Sequence, residues 1–242
     1  MMDEIKRIYM MSGKTTAVDV FGGSGKFLLN IKAINKVYND IDSRLVNAFR
    51  VLMTKDSELI MKLYVAPRSR ELFNESKEVA MDDVTDAFRF IYNRQHSFNG
   101  EGDGFAFDVG NNKGREFDLD MLRSVVRNVK KWTIEHLDFK DLIKRYDSDN
   151  TFFYLDPPYH DIKLYDNNFS DGQFVELRDA IADIKGAYLL NINDDDFVRE
   201  TFGDPKMTMS YSNHAQNARV PEYTKRTERD ELFYWKGVPE LL

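Results

Sequence analysis

Apolar positions in this chain fall into short solid runs separated by glycine turns, polar clusters and stretches with helical spacing. Ala17-Val-Asp-Val-Phe21 has the density of a short buried strand. Gly22-Gly-Ser-Gly25 then breaks it, and Phe27, Leu28, Ile31 and Ile34 follow at the spacing of one helix face. Lys36-Val-Tyr-Asn39 predicts a second strand closing at Asp40, and Leu45, Phe49 and Leu52 predict the next helix. Strand, helix and strand in that rhythm require a crossover connection and so predict a parallel sheet.

The pattern changes in the middle. From about Lys55 to Arg115 there is little strand character, and the segment ends in Gly100-Glu-Gly-Asp-Gly104 and Gly110-Asn-Asn-Lys-Gly114, which predicts a loop-bearing insertion. One helix stands out within it, with Asp82 or Asp83 as cap and Val84, Ala87, Phe88 and Ile91 on one face. The alternation resumes at Asp118. Leu122, Val125, Val129 and Trp132 predict a helix, Thr151 to Leu155 a strand, Phe174 to Ile184 a helix, Ala187 to Asn191 a strand, and Leu232 to Trp235 a final strand. There is no internal repeat and no low-complexity tract.

With 242 residues, 42% of them hydrophobic and 13% aromatic, the chain suits one packed α/β domain with an insertion. No apolar run approaches the length of a bilayer-spanning helix and the first residues lack a secretory core, so a cytoplasmic protein with no membrane partner is expected. The absence of cysteine excludes disulfides, thiolate zinc sites and thiol nucleophiles. A net charge of −7 counts against a nucleic-acid partner. Local clusters counter it: Arg123, Arg127, Lys130 and Lys131; Lys144 and Arg145; Arg219, Lys225, Arg226 and Arg229. Each cluster taken singly reads more readily as a solvated helix face.

Chemistry concentrates at Thr151-Phe-Phe-Tyr-Leu-Asp-Pro-Pro-Tyr159, where a buried-type strand runs directly into a carboxylate, two prolines and an aromatic ring. Prolines lack N–H donors and leave carbonyls free to accept, so the set matches an amine on a flat heterocycle: two acceptors for its hydrogens and a face to stack on. The plainer alternative is a Pro-Pro strand stop with Tyr159 over an apolar patch. Against it stands the position after a strand, where ligand sites of open α/β sheets lie.

The first glycine turn is not a phosphate-binding loop, since Gly25-Lys26 is followed by Phe27 where Ser or Thr would bind magnesium. Gly13-Lys-Thr15 also fails, because the position five residues before its glycine is Ile8. An acid closing the second strand, Asp40, about twenty residues after the first, has the spacing of a ribose ligand; a helix N-cap is its other reading. Together with Asp-Pro-Pro-Tyr, this pairing points to S-adenosylmethionine as cofactor. His96, His136, His160 and His214 are scattered and Asp194-Asp-Asp196 reads as a helix start, so no metal is expected.

The order Asp19-Val-Phe-Gly-Gly-Ser-Gly25, Asn39-Asp40, Phe90-Ile-Tyr-Asn-Arg94, Ser97-Phe-Asn-Gly100, Asp138-Phe139 and Asp156-Pro-Pro-Tyr159 resembles the D12-class, Dam-like adenine-N6 DNA methyltransferases common in bacteriophages. Phe169-Ser170, Ile184-Lys-Gly186, Asn193-Asp194 and Glu231-Leu232 extend the likeness nearly end to end. The resemblance implies a Rossmann-like S-adenosylmethionine-dependent methyltransferase fold of class α/β. Its mixed, mostly parallel sheet would carry helices on both faces and a small, mostly helical insertion. Residues 1–54 and 116–242 would form the catalytic domain and 55–115 the inserted target-recognition region.

By the same likeness Asp19, Phe21, Gly22, Gly23 and Gly25 line the cofactor pocket, Asp40 holds the ribose, and Asp156 borders the cofactor. Asp156 and the Pro157 carbonyl accept from the adenine amine, Pro158 completes the turn, and Tyr159 stacks on the flipped base. Arg94, Phe98 and Asn99 lie near double-stranded DNA. Two departures stand out: only Ser12-Gly13-Lys14 precedes the first strand, where relatives carry a longer segment with Gly-Gly-Lys, and Gly102-Asp-Gly-Phe-Ala-Phe107 replaces an Arg-x-Asn-type pattern. The expected function is methyl transfer to N6 of a flipped adenine in a specific sequence, in the host cytoplasm, by a monomer or weak dimer. The alternatives are a catalytically weak DNA-binding homologue, or a methyltransferase acting on cytosine N4 or RNA.

Overall fold

The computed structural model describes residues 1–97, 102, 104–105, 117–160, 169–212 and 228–239. Its described strands form one seven-stranded sheet: β1 (Thr16–Asp19), β2 (Asn35–Asn39), β3 (Thr133–Glu135), β4 (Thr151–Leu155), β5 (Ala187–Asn193), β6 (Met207–Ser212) and β7 (Glu228–Lys236). They lie in the order β3-β2-β1-β4-β5-β7-β6. β3, β2, β1, β4 and β5 pair in parallel, whereas β7 runs antiparallel to both β5 and β6. The strand order therefore reverses direction between β1 and β4, which opens a crevice beyond their carboxyl ends.

The strands alternate side chains between two apolar layers, as a period of two requires. Ala17, Phe152, Tyr154, Leu189 and Phe233 face one layer; Val18, Phe153, Leu155, Leu190, Leu232 and Tyr234 face the other. Helices cover both. α1 (Met2–Ser12), α2 (Lys26–Asn30), α3 (Ser43–Thr54) and α7 (Leu119–Val129) bury residues in the first layer, and α8 (Phe139–Tyr146), α9 (Asp171–Ala182) and α10 (Asp196–Phe202) in the second. Full burial of a side chain such as Phe152 or Phe153 contributes roughly 2 kcal/mol.

The predicted strands are present and most of the predicted helices, with differences of physical origin: α2 stops at Asn30, Ile31 is its extended C-cap, and Ile34 stands 80% exposed instead of continuing the helix face. α1 escaped the sequence pattern although Ile5, Ile8 and Tyr9 form its buried stripe at i, i+3 and i+4. Trp132 does not continue α7. It lies past the helix end, its ring 5.9 Å from Phe49 and 6.2 Å from Tyr38. Asp195 caps α10 by accepting from Phe197 N at 2.8 Å, in keeping with a helix start at Asp194-Asp-Asp196.

Residues 55–115 contribute α4 (Asp56–Val65), α5 (Arg70–Glu75) and α6 (Asp83–His96), the last capped by Asp82. Leu59, Leu63, Val84 and Ala87 share the first apolar layer with Ile5 and Phe152. An ion pair from Arg44 on α3 to buried Asp86 on α6, at 3.1 Å, ties these helices to the sheet's own layer.

Candidate active site

Two turns meet at the open crevice. β1 delivers Asp19, Val20 and Phe21 to the glycine turn, and β4 delivers Asp156-Pro-Pro-Tyr159; Asp19 is in register with Tyr154 on one side and Tyr38 on the other. The glycine turn is locked by β2. Gly22 N donates to Asn39 O at 2.7 Å, Gly23 N donates to Asp40 Oδ2 at 2.9 Å, and the Tyr38 hydroxyl donates to Gly23 O at 2.8 Å. A Cβ on Gly22 would stand 2.3 Å from Tyr38 Cε2 and 2.8 Å from Asn39 O, so packing against a wholly buried ring demands glycine there. Gly23, at φ +48°, has no such crowding and leaves its face of the turn open.

Asp40 is not the helix cap. Asp42 caps α3 by accepting from Arg44 N and Leu45 N, while Asp40 accepts from Gly23 N and Asp42 N. Burial raises the Asp40 carboxyl, with its backbone donors pulling the other way. Phe21 reaches across to Phe169, ring centroids 5.4 Å apart.

Asp156 receives the Tyr154 hydroxyl at 3.3 Å on Oδ2 and, at a long 3.5 Å, the Asn191 amide on Oδ1. Burial first, and then the negative Glu231, push the Asp156 carboxyl up to about 7. Asp19 is 1% exposed, and its Oδ1 accepts no hydrogen bond among the described residues. Burial, Asp156 and Asp40 together hold it well above the usual carboxylate range. The Tyr159 hydroxyl donates to Glu231 Oε1. His160 closes the turn: its N–H bonds Asn193 Oδ1 and its ring stacks on Phe197 at 4.5 Å. Burial would lower that imidazole, but the Asp195 and Asp171 carboxylates outweigh it and leave it raised.

The floor is thus a cluster of acids at the ends of parallel strands, beside a glycine turn with one open face. Residues 1–218 match the family model described as D12 class N6 adenine-specific DNA methyltransferase. The chain belongs to that class. It is 27% identical over 214 residues, 83% of this chain and 82% of the relative, to the type II methyltransferase M.CviBI of Paramecium bursaria Chlorella virus NC1A. The crystal structure of SMU.472, complexed with SAH, covers 96% of this chain at 19% identity with a TM-score of 0.40, and the chain spans about half of its length.

The methyl donor of this D12-class enzyme is S-adenosylmethionine. Its crevice fits such a group: the cofactor is cationic at sulfur, and Asp19 offers a buried carboxyl oxygen with no donor among the described residues, close to the glycine turn whose Gly23 face is open. Asp19, Phe21, Gly22, Gly23, Gly25, Asp40 and Asp156 through Tyr159 all gather at this end of the sheet. Arg94 is exposed on α6, with its guanidinium carbon 5.2 Å from the Phe90 ring centroid. Phe98 and Asn99 fall outside the described residues, as do Arg219, Lys225, Arg226 and the Arg229 side chain. Among the other basic residues, Lys130 pairs with Asp56, Arg123 with Asp120 and Arg145 with Glu135. No group of three metal-ligating side chains occurs among the described residues, and no helix among them is long and apolar enough to cross a membrane.

Sequence reasoning passed over Tyr38, Tyr154 and Asn191 and gave Glu231 no role. The available signal was a polar group inside a strand buried on both faces: Asn191 and Glu231 are each 1% exposed. A polar atom kept in such a place carries a desolvation cost and needs a partner.

Proposed function

We propose that this D12-class methyltransferase methylates N6 of an adenine extruded from double-stranded DNA, with Asp156, the Pro157 carbonyl and Tyr159 holding the base. The observation that carries this reading is the placement of the Asp-Pro-Pro-Tyr turn beside the glycine turn at the sheet's reversal point, with the charge of Asp156 close enough to raise the buried Asp19 carboxyl. S-adenosylmethionine, when bound, supplies an electrophilic methyl group on a sulfonium. The glycine turn, Asp19 and Phe21 would border it, and Asp40 would accept from its ribose hydroxyls.

The chain's own work lies with the amine. An exocyclic nitrogen is a weak nucleophile because its lone pair is delocalised into the ring; acceptors on both N–H bonds favour the geometry in which that pair localises and positive charge develops. Asp156 at Oδ1 or Oδ2 and the Pro157 carbonyl supply them. A carboxyl raised to about 7 is also suited to take the proton that N6 gives up at neutral pH. Tyr159 offers its ring to the base, offsetting part of the few kcal/mol that extrusion costs. Residues 55–115, with Arg94, Phe98 and Asn99, would face the DNA and set the target; a monomer in the cytoplasm suffices for all of this.

The test is direct. Plasmid DNA is incubated with the protein and S-adenosylmethionine, then digested to nucleosides for mass spectrometry, with long-read sequencing to map the positions. N6-methyladenine at one sequence motif is expected from the wild type and none from Asp156→Ala, which retains donor binding by calorimetry. N4-methylcytosine as the product, or near-normal turnover by Asp156→Ala, would overturn the assignment.

A further inference from the structure

β7 carries an acid where its pattern calls for an apolar side chain. Leu232 and Tyr234 enter the second apolar layer and Phe233 the first, so Glu231, two residues before Phe233, points to the first as well. It is 1% exposed and pairs in register with Asn193 on the neighbouring β5. Desolvating a carboxylate there is costly unless something is gained from it.

What it meets is the catalytic turn. The Tyr159 hydroxyl donates to Glu231 Oε1 at 2.5 Å, across a sequence separation of 72 residues. Asp156 is faced by Tyr154 of its own strand, Asn191 of β5, Glu231 of β7, Lys26 at the start of α2 and Asp19 at the end of β1. Four strands therefore contribute side chains around one turn, and β7, the antiparallel strand, does so through Glu231.

We infer that Glu231 is a positioning residue of the active site: its carboxylate takes the Tyr159 hydroxyl and so fixes the plane of the ring on which the extruded base stacks. The inference rests on the function proposed above. A carboxylate suits the task better than an amide, because it only accepts and so admits a single sense of the bond. The same carboxylate also acts through space on Asp156. As the second cause of that group's raised affinity for protons, it keeps the acceptor of the N6 amine poised near neutrality. One side chain outside the Asp-Pro-Pro-Tyr turn thus governs both of its working ends.

The experiment uses Glu231→Gln, Tyr159→Phe and the double variant, with the full chain throughout. In the free protein, carboxyl carbon NMR follows the titration of Asp156, and Glu231→Gln is expected to move its midpoint down; a purely structural role for Glu231 would not shift it in that sense. With a duplex carrying 2-aminopurine at the mapped target adenine, both single variants are expected to lose most of the emission change of the flipped base. Each should raise KM for DNA about tenfold with a smaller effect on kcat, and the double variant should lose no more than either single one.

Additive losses in the double variant, or an Asp156 midpoint that stays in place in Glu231→Gln, would overturn the inference. Tyr159 is partly exposed and outside the apolar layers, so Tyr159→Phe folds even if Glu231→Gln does not, and its KM then carries the test: an unchanged value overturns the anchor. If the wild type makes no N6-methyladenine, the functional reading fails by itself, while the carboxyl titration still decides whether Glu231 governs Asp156.

Discussion

Asp156→Asn should make the protein more stable at pH 8 while abolishing methyl transfer. Burial and Glu231 raise the Asp156 carboxyl from 3.8 to about 7, so the folded chain holds a proton there that the unfolded chain releases. Stability contributed by this site is present in full below about pH 4, falls as the pH rises through the interval to about 7, and stays low above it. A gap of about three pH units at ~1.4 kcal/mol each corresponds to about 4 kcal/mol. Asp156 is only partly buried and its asparagine would turn an amide toward Tyr154, so about half of that, roughly 2 kcal/mol, should survive in the variant. For a chain of this size the gain is about 4–8 °C in Tm. Thermal unfolding of both proteins, free of DNA and cofactor, at pH 4.5 and pH 8 checks it: the variant's advantage should be near zero at the acid end and fully developed at the alkaline end. A variant melting at or below the wild-type temperature at pH 8 would refute the claim that Asp156 is held in its charged form against the fold.

The pH dependence of kcat/KM should show an acid limb near 7, activity falling as the pH drops through it, because the protonated Asp156 loses an acceptor for the N6 amine; a rate flat from pH 5.5 to 8 would contradict this. Tyr154→Phe removes a hydroxyl that favours the Asp156 carboxylate, so the same limb should move to higher pH, readable from the same profiles. Gly22→Ala should cost about 1–3 kcal/mol in urea unfolding, since its methyl would intrude on Tyr38 and Asn39 O, whereas Gly23→Ala meets only the roughly 1 kcal/mol strain of a left-handed backbone. Arg44→Ala leaves buried Asp86 without its cation and should cost about 2–3 kcal/mol by the same measurement.

Much of the site was legible because its residues are contiguous. Asp156 through Tyr159 occupy four consecutive positions, and Gly22 to Gly25 four more, so their chemistry can be read without knowing what lies across from them. Asp40 was ambiguous for the opposite reason: ribose ligand and helix cap use the same side chain two residues apart. The structure removed the second reading by giving the cap to Asp42. α1 was missed because a single amphipathic stripe of three residues, Ile5, Ile8 and Tyr9, is too short a pattern to stand out before its packing partners Phe27 and Phe152 are known.

The amino-acid sequence alone determined the α/β alternation, the Asp-Pro-Pro-Tyr turn after a strand, the glycine turn after another and the family to which they point. All of these are local patterns, or orders of local patterns, and survive being read in one dimension. Tertiary structure alone decided how the acids meet: Asp19 ends β1, Asp156 follows β4 and Glu231 lies on β7, and nothing in their spacing says that they come together at one end of the sheet. The proton affinity of Asp156, raised by burial and then by Glu231, and that of Asp19, raised by burial and then by Asp156, depend on how the strands come together. Those are properties of the closed sheet and of no segment taken by itself.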